Sequence, residues 1–376
     1  MTRRRRALTI ALASAAAVGL GACGSDDPVN HPWRPGGATA GATAAPPAPQ
    51  GDLTGTLAGA GASSQESAMA AWAAGFGAAN PDVVISYDPV GSGGGRTQFS
   101  EGGIAFAGSD APLDEAELAD ARERCAPGDV AELPLYVSPI AVVFNLDGVT
   151  TLNMSPATVA GVFARTITRW DAPEIAADNP GVDLPDQAIT PVTRSDESGT
   201  TENFTEYLAA AAPAAWPYEP SGNWPLDGGQ SAQGTSGVVQ TVTDGTGTIG
   251  YADASKAGTL GTVALGVGDQ FVPYSPAAAA ALVDASPRAE GRPDTSLVVE
   301  LDRTTTAPGA YPLVLVSYTL ACTAYDDAGT AELVAGFLGY VASEEGQATA
   351  AFSAGAAPLS PAMRERVLAV VEGIAP

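Results

Sequence analysis

From residue 52 onward the chain alternates short apolar runs with stretches in which apolar side chains recur every three or four positions. Runs of the first kind, bounded by Gly and Pro, predict strands, and those of the second predict helices. The first unit reads strand–loop–helix. A strand at 53–57 leads into Gly59-Ala60-Gly61-Ala62-Ser63-Ser64, then into a helix whose Met69, Trp72, Ala73 and Phe76 share one face until Asn80-Pro81 stops it. Ser63 and Glu66 have capping-box spacing at its start. Residues 83–87 predict the next strand, and Gly91-Ser92-Gly93-Gly94-Gly95 a loop leading into a short helix from Arg96. A third strand at 104–108 ends at Ser109-Asp110, with a helix at 114–124 beyond it. Farther on, strands are expected at 140–145, 189–193, 248–251 and 313–320. Helices are expected at 156–163 with Ser155 as cap, 201–212, 330–343, and 363–372 after the start signal Ser360-Pro361. Such alternation argues α/β layers. The 325 residues from Asp52 to Pro376 exceed what one compact core usually holds, so two lobes are expected.

The N-terminus breaks the pattern. Arg3 to Arg6 form a positive region, Ala7 to Gly19 an apolar one, and Leu20-Gly21-Ala22-Cys23 a small-residue cleavage site ending in cysteine. Residues 1–22 read as a secretory signal, too short to span a membrane as a helix. The Leu-Gly-Ala-Cys ending resembles the bacterial lipobox, which implies that Cys23 is lipidated and becomes the new N-terminus. Residues 23–51, rich in Gly, Ala, Pro and Thr, have no apolar periodicity and read as a disordered tether whose ends lie about 30 Å apart.

Composition removes several function classes. His31, the only histidine, falls in the tether, so Ser-His-Asp and Cys-His catalysis lack their base. Cys125 and Cys322 are far from metal-ligand spacing, and no metal or other cofactor is expected; in an oxidising exterior the two cysteines are expected to pair. The formal charge is −25; without the signal's four arginines, 13 basic and 42 acidic residues leave −29, with Lys256 the only lysine. Nucleic acid is not an expected partner, because phosphate-backbone binding needs a basic face.

Against that acidity, one stretch stands out: Arg194-Ser195-Asp196-Glu197-Ser198-Gly199-Thr200 lies between a strand and a helix. A helix N-terminus offers unpaired N–H groups and the positive end of its dipole. Arg194 adds a planar fork suited to phosphate-like oxygens, and Ser198 and Thr200 add hydroxyl donors. Three glycine-and-hydroxyl loops, together with Asp110, follow strands, where α/β sheets gather ligands. The residues point to a site for a small oxyanion.

The order of the motifs carries a resemblance. Gly59-Ala60-Gly61-Ala62-Ser63, Gly91-Ser92-Gly93-Gly94, Phe106-Ala107-Gly108-Ser109-Asp110-Ala111-Pro112-Leu113 and the Arg194–Thr200 stretch resemble the PstS phosphate-binding proteins, receptors of bacterial phosphate ABC importers. Trp170-Asp171, Gly247-Thr248-Ile249-Gly250-Tyr251 and Tyr311-Pro312-Leu313 extend the likeness. It implies a two-lobed type II periplasmic binding protein fold, with lobe I at 52–136 plus 309–376, lobe II at 137–308, and phosphate in the cleft between them. By motif, Ser63 would donate a hydroxyl, Ser64 its backbone N–H and Ser92 a second hydroxyl. Asp110 would face the ligand, and Arg194, Ser198, Gly199 and Thr200 would close from the opposite lobe, with Asp196 pairing with Arg194 or standing as a solvated turn residue. Arg96 is left either flanking the anion or facing solvent. Two positions depart from the family pattern: Ser64 stands where an aromatic residue is common, and Gly93 where a second serine is frequent.

The resemblance implies a lipid-anchored monomer on the extracytoplasmic face of the cell membrane. It would bind inorganic phosphate and deliver it to the transmembrane subunits of an ABC permease. Asp110 fits phosphate better than sulfate, since a carboxylate can accept a hydrogen bond from phosphate's remaining proton and only repels an unprotonated anion. Another tetrahedral oxyanion, such as sulfate or a phosphonate, is the alternative. A phosphate-ester hydrolase using Ser63 or Ser198 is disfavoured, because neither a general base nor a metal cluster accompanies them.

Overall fold

A computed structural model describes residues 52–376; the signal, Cys23, His31 and the tether lie outside the described residues. β1 (Gly55–Gly61) runs into α1 (Glu66–Ala79), and β2 (Val83–Asp88) into α2 (Ser92–Ser100). β3 (Phe106–Ser109) is followed by α3 (Glu115–Cys125) and the long β4 (Val130–Phe144). Next come β5 (Thr151–Met154), α4 (Pro156–Phe163), α5 (Pro173–Asp178), β6 (Thr190–Arg194), α6 (Gly199–Ala211) and β7 (Gln230–Ala232). α7 (Gly234–Asp244), β8 (Thr248–Asp253), the hairpin β9 (Gly261–Val267) and β10 (Gln270–Val272), and α8 (Pro276–Ala285) follow. The chain then returns through β11 (Val314–Cys322) and ends in α9 (Ala328–Ala342), α10 (Glu344–Ala354) and α11 (Pro361–Val371).

The strands form one mixed, curled sheet in the order β2-β1-β3-β11-β4-β8-β6-β7, with β9 pairing β4, β5 and β10. β1 is parallel to β2 and β3, and β6 is parallel to β7 and β8, while β4 is antiparallel to both β11 and β8. Two α/β halves therefore share β4. Its residues 130–139 pair with β11, and residues 140–144 with β8. The sequence reading finds only the second part of this strand, because Pro134 and Pro139 interrupt the apolar run and proline cannot donate to a ladder. Pro134 sits where the register with β11 shifts, and Pro139 where β4 leaves β11.

Each half has its own aromatic core. Met69, Trp72 and Phe76 of α1 are buried as their spacing predicts, Phe76 packs edge-on against Phe337 of α9, and Trp72 Nε1 donates to the Gly346 carbonyl (2.7 Å). In the other half Phe163, Phe204, Trp216, Trp224 and Tyr251 stack together. Burying one such side chain contributes roughly 1.5–3 kcal/mol. The Cys125–Cys322 disulfide joins the end of α3 to the end of β11, as the compartment argument anticipates.

Buried Glu132 on β4 fastens the connection between α8 and β11. Its carboxylate accepts from the Leu113 N–H (2.9 Å) and Ser296 Oγ (2.6 Å) and pairs with Arg292 (2.8 Å), while Leu297 N–H bonds its carbonyl (2.9 Å). Residues 296–297, inside the range the sequence reading gives to lobe II, thus lie against the part of β4 that pairs with β11.

Two local expectations fail. The Ser63–Glu66 capping box does not form: α1 starts at Glu66 after Gln65, without a side-chain cap, because the Ser63 hydroxyl accepts the Thr235 N–H instead (3.0 Å). The short helix expected from Arg96 begins at Ser92, so its glycines are helical. Glycine costs helix propensity, but here it permits close approach: a Cβ on Gly95 would lie 2.5 Å from the Gly61 Cα of β1.

Candidate functional site

Parallel strands deliver their carboxyl ends to one side of a sheet, and β1, β2, β6 and β7 each lead there into the N-terminus of a helix. The two halves meet at these ends, around Asp110 in the turn after β3. Its Oδ1 accepts from Ser64 Oγ (2.6 Å) and its Oδ2 from Thr200 Oγ1 (2.9 Å), while its own N–H donates to Ser92 Oγ (3.1 Å). Asn203 Nδ2 donates to the carbonyls of both Asp110 (2.7 Å) and Gly199 (2.8 Å). Gly199 is so close that a Cβ there would lie 2.7 Å from Asp110 Cβ and 2.7 Å from Ser92 Oγ. Ser63 Oγ meets Thr235 Oγ1 at 3.1 Å, so the first turn of α7 also reaches the opposite half.

The donors come from helix starts. In α6 the first intrahelical bond is Glu202 N–H to the Ser198 carbonyl (2.9 Å), so the N–H groups of Gly199 and Thr200 precede it. Ser198 caps that helix, its Oγ accepting from Thr201 N–H (3.2 Å) while its own N–H bonds the Gly222 carbonyl (2.9 Å). In α2 the first bond is Gly95 N–H to the Gly91 carbonyl (3.0 Å), leaving the N–H groups of Ser92, Gly93 and Gly94 ahead of it. Anions are favoured at such ends by partial positive charge, whatever the distant net charge, which salt screens beyond about 8–10 Å.

Arg194, at the end of β6, is 4% exposed. Its Nε donates to Asp196 Oδ1 (2.8 Å) and its Nη2 to Asp196 Oδ2, while Asp196 Oδ1 also accepts the Gly234 N–H (3.0 Å). Asp196 is therefore not a solvated turn residue; it fixes the fork of Arg194 and ties it to the start of α7. Burial pushes the Asp196 carboxyl up, but the bonds from Arg194 and Gly234 more than offset it and hold the group below its ordinary range. Burial dominates at Asp110, whose carboxyl is pushed up despite the hydroxyls of Ser64 and Thr200 and the positive charge of Arg194. Arg194 is thus near enough for its charge to act on Asp110, an acid with a raised pKa beside the N-termini of α2 and α6.

The rim carries further contacts between the halves. Arg96 is buried, not solvent-facing, and pairs with Glu117 (2.7 Å) on its own half and Glu197 (2.8 Å) on the other. On another part of the rim, Glu66 at the start of α1 accepts from Ser236 Oγ (3.2 Å) and Lys256 Nζ (3.1 Å). Beside it a cavity of about 230 Å³ is lined by Ser63, Glu66, Pro89, Gln233, Gly234, Thr235 and Ser236.

The structure therefore brings Ser63, Ser64, Ser92, Asp110, Arg194, Ser198, Gly199 and Thr200 to one junction, with two changes of part. The Thr200 hydroxyl, expected as a donor to the anion, goes to Asp110. Ser64, expected to contribute only its N–H, turns its hydroxyl to Asp110. Gly234, Thr235 and Asn203 were not anticipated. Gly234-Thr235-Ser236 is a glycine-and-hydroxyl step before an amphipathic run, the signal that marks the other loops. Asn203 leaves no such trace, since its role depends on where α6 docks. Among the described residues, no cluster of His, Cys, Asp and Glu is arranged to hold a metal.

A family model described as PBP superfamily domain matches residues 43–345. Phosphate-binding protein PstS 3 of Mycobacterium tuberculosis is 33% identical over 347 residues, covering 90% of each sequence. PstS 2 of the same organism is 34% identical over 285 residues, 74% of this chain and 76% of that protein. Among solved structures, a high-affinity periplasmic phosphate-binding protein determined with phosphate bound superposes with a TM-score of 0.67 at 23% identity, covering 84% of this chain and 93% of that one; at that identity the likeness speaks for the two-lobed fold. With a family match over most of its length and relatives aligned across nine-tenths of it, the chain belongs to the PstS-type phosphate-binding proteins of the PBP superfamily.

Proposed function

We propose that the protein is an extracytoplasmic receptor that captures inorganic phosphate at the junction of its two halves and passes it to the transmembrane subunits of an ABC importer. The observation that carries this reading is the environment of Asp110: a buried carboxylate facing hydroxyls and helix N-termini from both halves, with Arg194 close by. Phosphate near neutral pH keeps at least one proton, which a carboxylate can accept, while its other oxygens take the N–H groups of Gly199 and Thr200, the hydroxyls of Ser63, Ser92 and Ser198, the N–H of Ser64 and the guanidinium of Arg194. Sulfate brings the same charge without the proton and would leave Asp110 opposed by an unpaired negative oxygen. Both halves contribute donors, so binding favours the closed arrangement.

In this reading lobe I is 52–136 with 309–376 and lobe II is 137–308, the stretch around 296–297 leaning on lobe I. A lipid on Cys23 holds the monomer at the membrane, with residues 23–51 as its tether. Substrate capture needs no bond-breaking chemistry, so the protein acts as a carrier and not as an enzyme. The test is calorimetric titration of purified protein, unfolded and refolded to strip carried-over anion, with phosphate and with sulfate. Tight binding of phosphate alone is the expected result, and no heat with phosphate would refute the proposal.

A further inference from the structure

Arg96 stands outside the proposed anion-binding set, yet the fold buries it and divides its three nitrogens between the two halves. Nε donates to Glu117 Oε1 (2.7 Å) and Nη1 to Ser109 Oγ (3.1 Å), both on its own side. Nη2 donates to Glu197 Oε1 (2.8 Å), in the loop between β6 and α6 on the opposite side. The Glu197 side chain is 47% exposed, so the pair lies at the edge of the junction. Gly93 lies directly beneath this arm: a Cβ there would come within 2.4 Å of Glu197 Cδ and Oε2. Residue 93 must therefore lack a side chain for Glu197 to reach Arg96 by this path.

We propose that the Arg96–Glu197 pair is a latch that sets the lifetime of the closed state, with Gly93 as the gap that admits it. The inference rests on the proposed function, since a latch matters only to a receptor that closes over an anion. The contact exists only when the halves meet, so its free energy belongs to the closed form and slows opening, with little effect on encounter. Arg96 is held in place by Glu117 and Ser109 whether or not the halves touch, so the latch closes onto an ordered partner. Glu197 is a positioning residue for closure and touches no ligand in this scheme.

Stopped-flow release of phosphate from the full-length protein tests the proposal. For one charge-assisted bond at a half-exposed edge, Glu197→Ala is expected to speed release roughly tenfold and leave the association rate within about twofold. Gly93→Ala should also speed release, by pushing Glu197 off its path, while leaving the melting temperature unchanged or higher because alanine is the better helix former. In the double variant the two effects should not add, since both remove the same contact. Release at the wild-type rate from both single variants overturns the latch. So does full additivity in the double variant, which would mean that Gly93 acts by another route. Wild-type protein that binds no phosphate would instead sink the functional reading, so the two failures are distinguishable.

Discussion

Gly199→Ala is the substitution whose consequence follows most directly from distances. The new methyl would lie 2.7 Å from Asp110 Cβ and Ser92 Oγ and 3.0 Å from the Ala111 nitrogen. Asp110 Cβ and the Ala111 nitrogen are fixed to the backbone and cannot swing away, and Ser92 Oγ could rotate only by giving up its bond from the Asp110 N–H. Carbon atoms reach optimal separation near 3.5–4.0 Å, so the halves must back off by about 0.8 Å. The Thr200–Asp110 bond, 2.9 Å in the closed arrangement, would stretch to about 3.7 Å, past any useful geometry. The Asn203 bond to the Asp110 carbonyl (2.7 Å) would be stretched alongside it. A hydrogen bond to a charged group contributes about 1.5–3 kcal/mol and a neutral one about 0.5–1.5, so the closed state loses roughly 2–4 kcal/mol. Phosphate affinity should fall by about 30-fold to 1,000-fold. Gly199 opens α6, where alanine is helix-compatible, so the melting temperature of the anion-free protein should stay near wild type. Calorimetry against phosphate, paired with thermal unfolding, separates the two effects. If Gly199→Ala binds phosphate within about twofold of wild type, the closed contact between the halves is not the state that holds the anion.

Asp110→Asn should let sulfate in while weakening phosphate about tenfold, because an amide no longer repels a fully deprotonated oxygen; unchanged selectivity in competitive titration would remove Asp110 from the discrimination. Glu202 is pushed up to about 7, mainly by burial and further by Glu206, Glu117 and Glu197, with Arg96 opposing. A folded-state value above the unfolded one means stability is greatest below about 4.5 and is lost as pH rises through about 7. Glu202→Gln should therefore raise the melting temperature relative to wild type more at pH 8 than at pH 5, and an equal shift at both would contradict the assignment. The Cys125–Cys322 bridge closes a sequence separation of 197 residues. Replacing both cysteines by serine should lower unfolding stability by about 2–5 kcal/mol, read from the urea midpoint, and an unchanged midpoint would mean the bridge contributes nothing.

Local signals translated well where a segment's neighbours do not override it. The Met69, Trp72 and Phe76 stripe, the Ser155 and Ser360 caps and the buried β8 and β11 strands appear as their spacing implies, because burial periodicity and capping act within a few residues. Segments were misread where partners distant in sequence set the outcome. Ser63 forsakes its own helix for Thr235, 172 residues away, and the glycines after Gly91 become helical because α2 lies against β1. The small edge elements β5, β7 and β10 carry too few residues for any period to register.

For the site, the sequence alone marked the chemistry: an arginine, hydroxyls, glycines and one acid placed after strands, in an order that identifies the family. It could not say which of them would touch. That Asp110 draws hydroxyls from both halves, that Asp196 fixes Arg194, and that Glu197 crosses to Arg96 over the bare Cα of Gly93 were decided only by folding. The reason is geometric. Residue types and short spacings fix what a group can donate or accept, but contacts across a junction depend on how two separately packed halves are set by the strand they share.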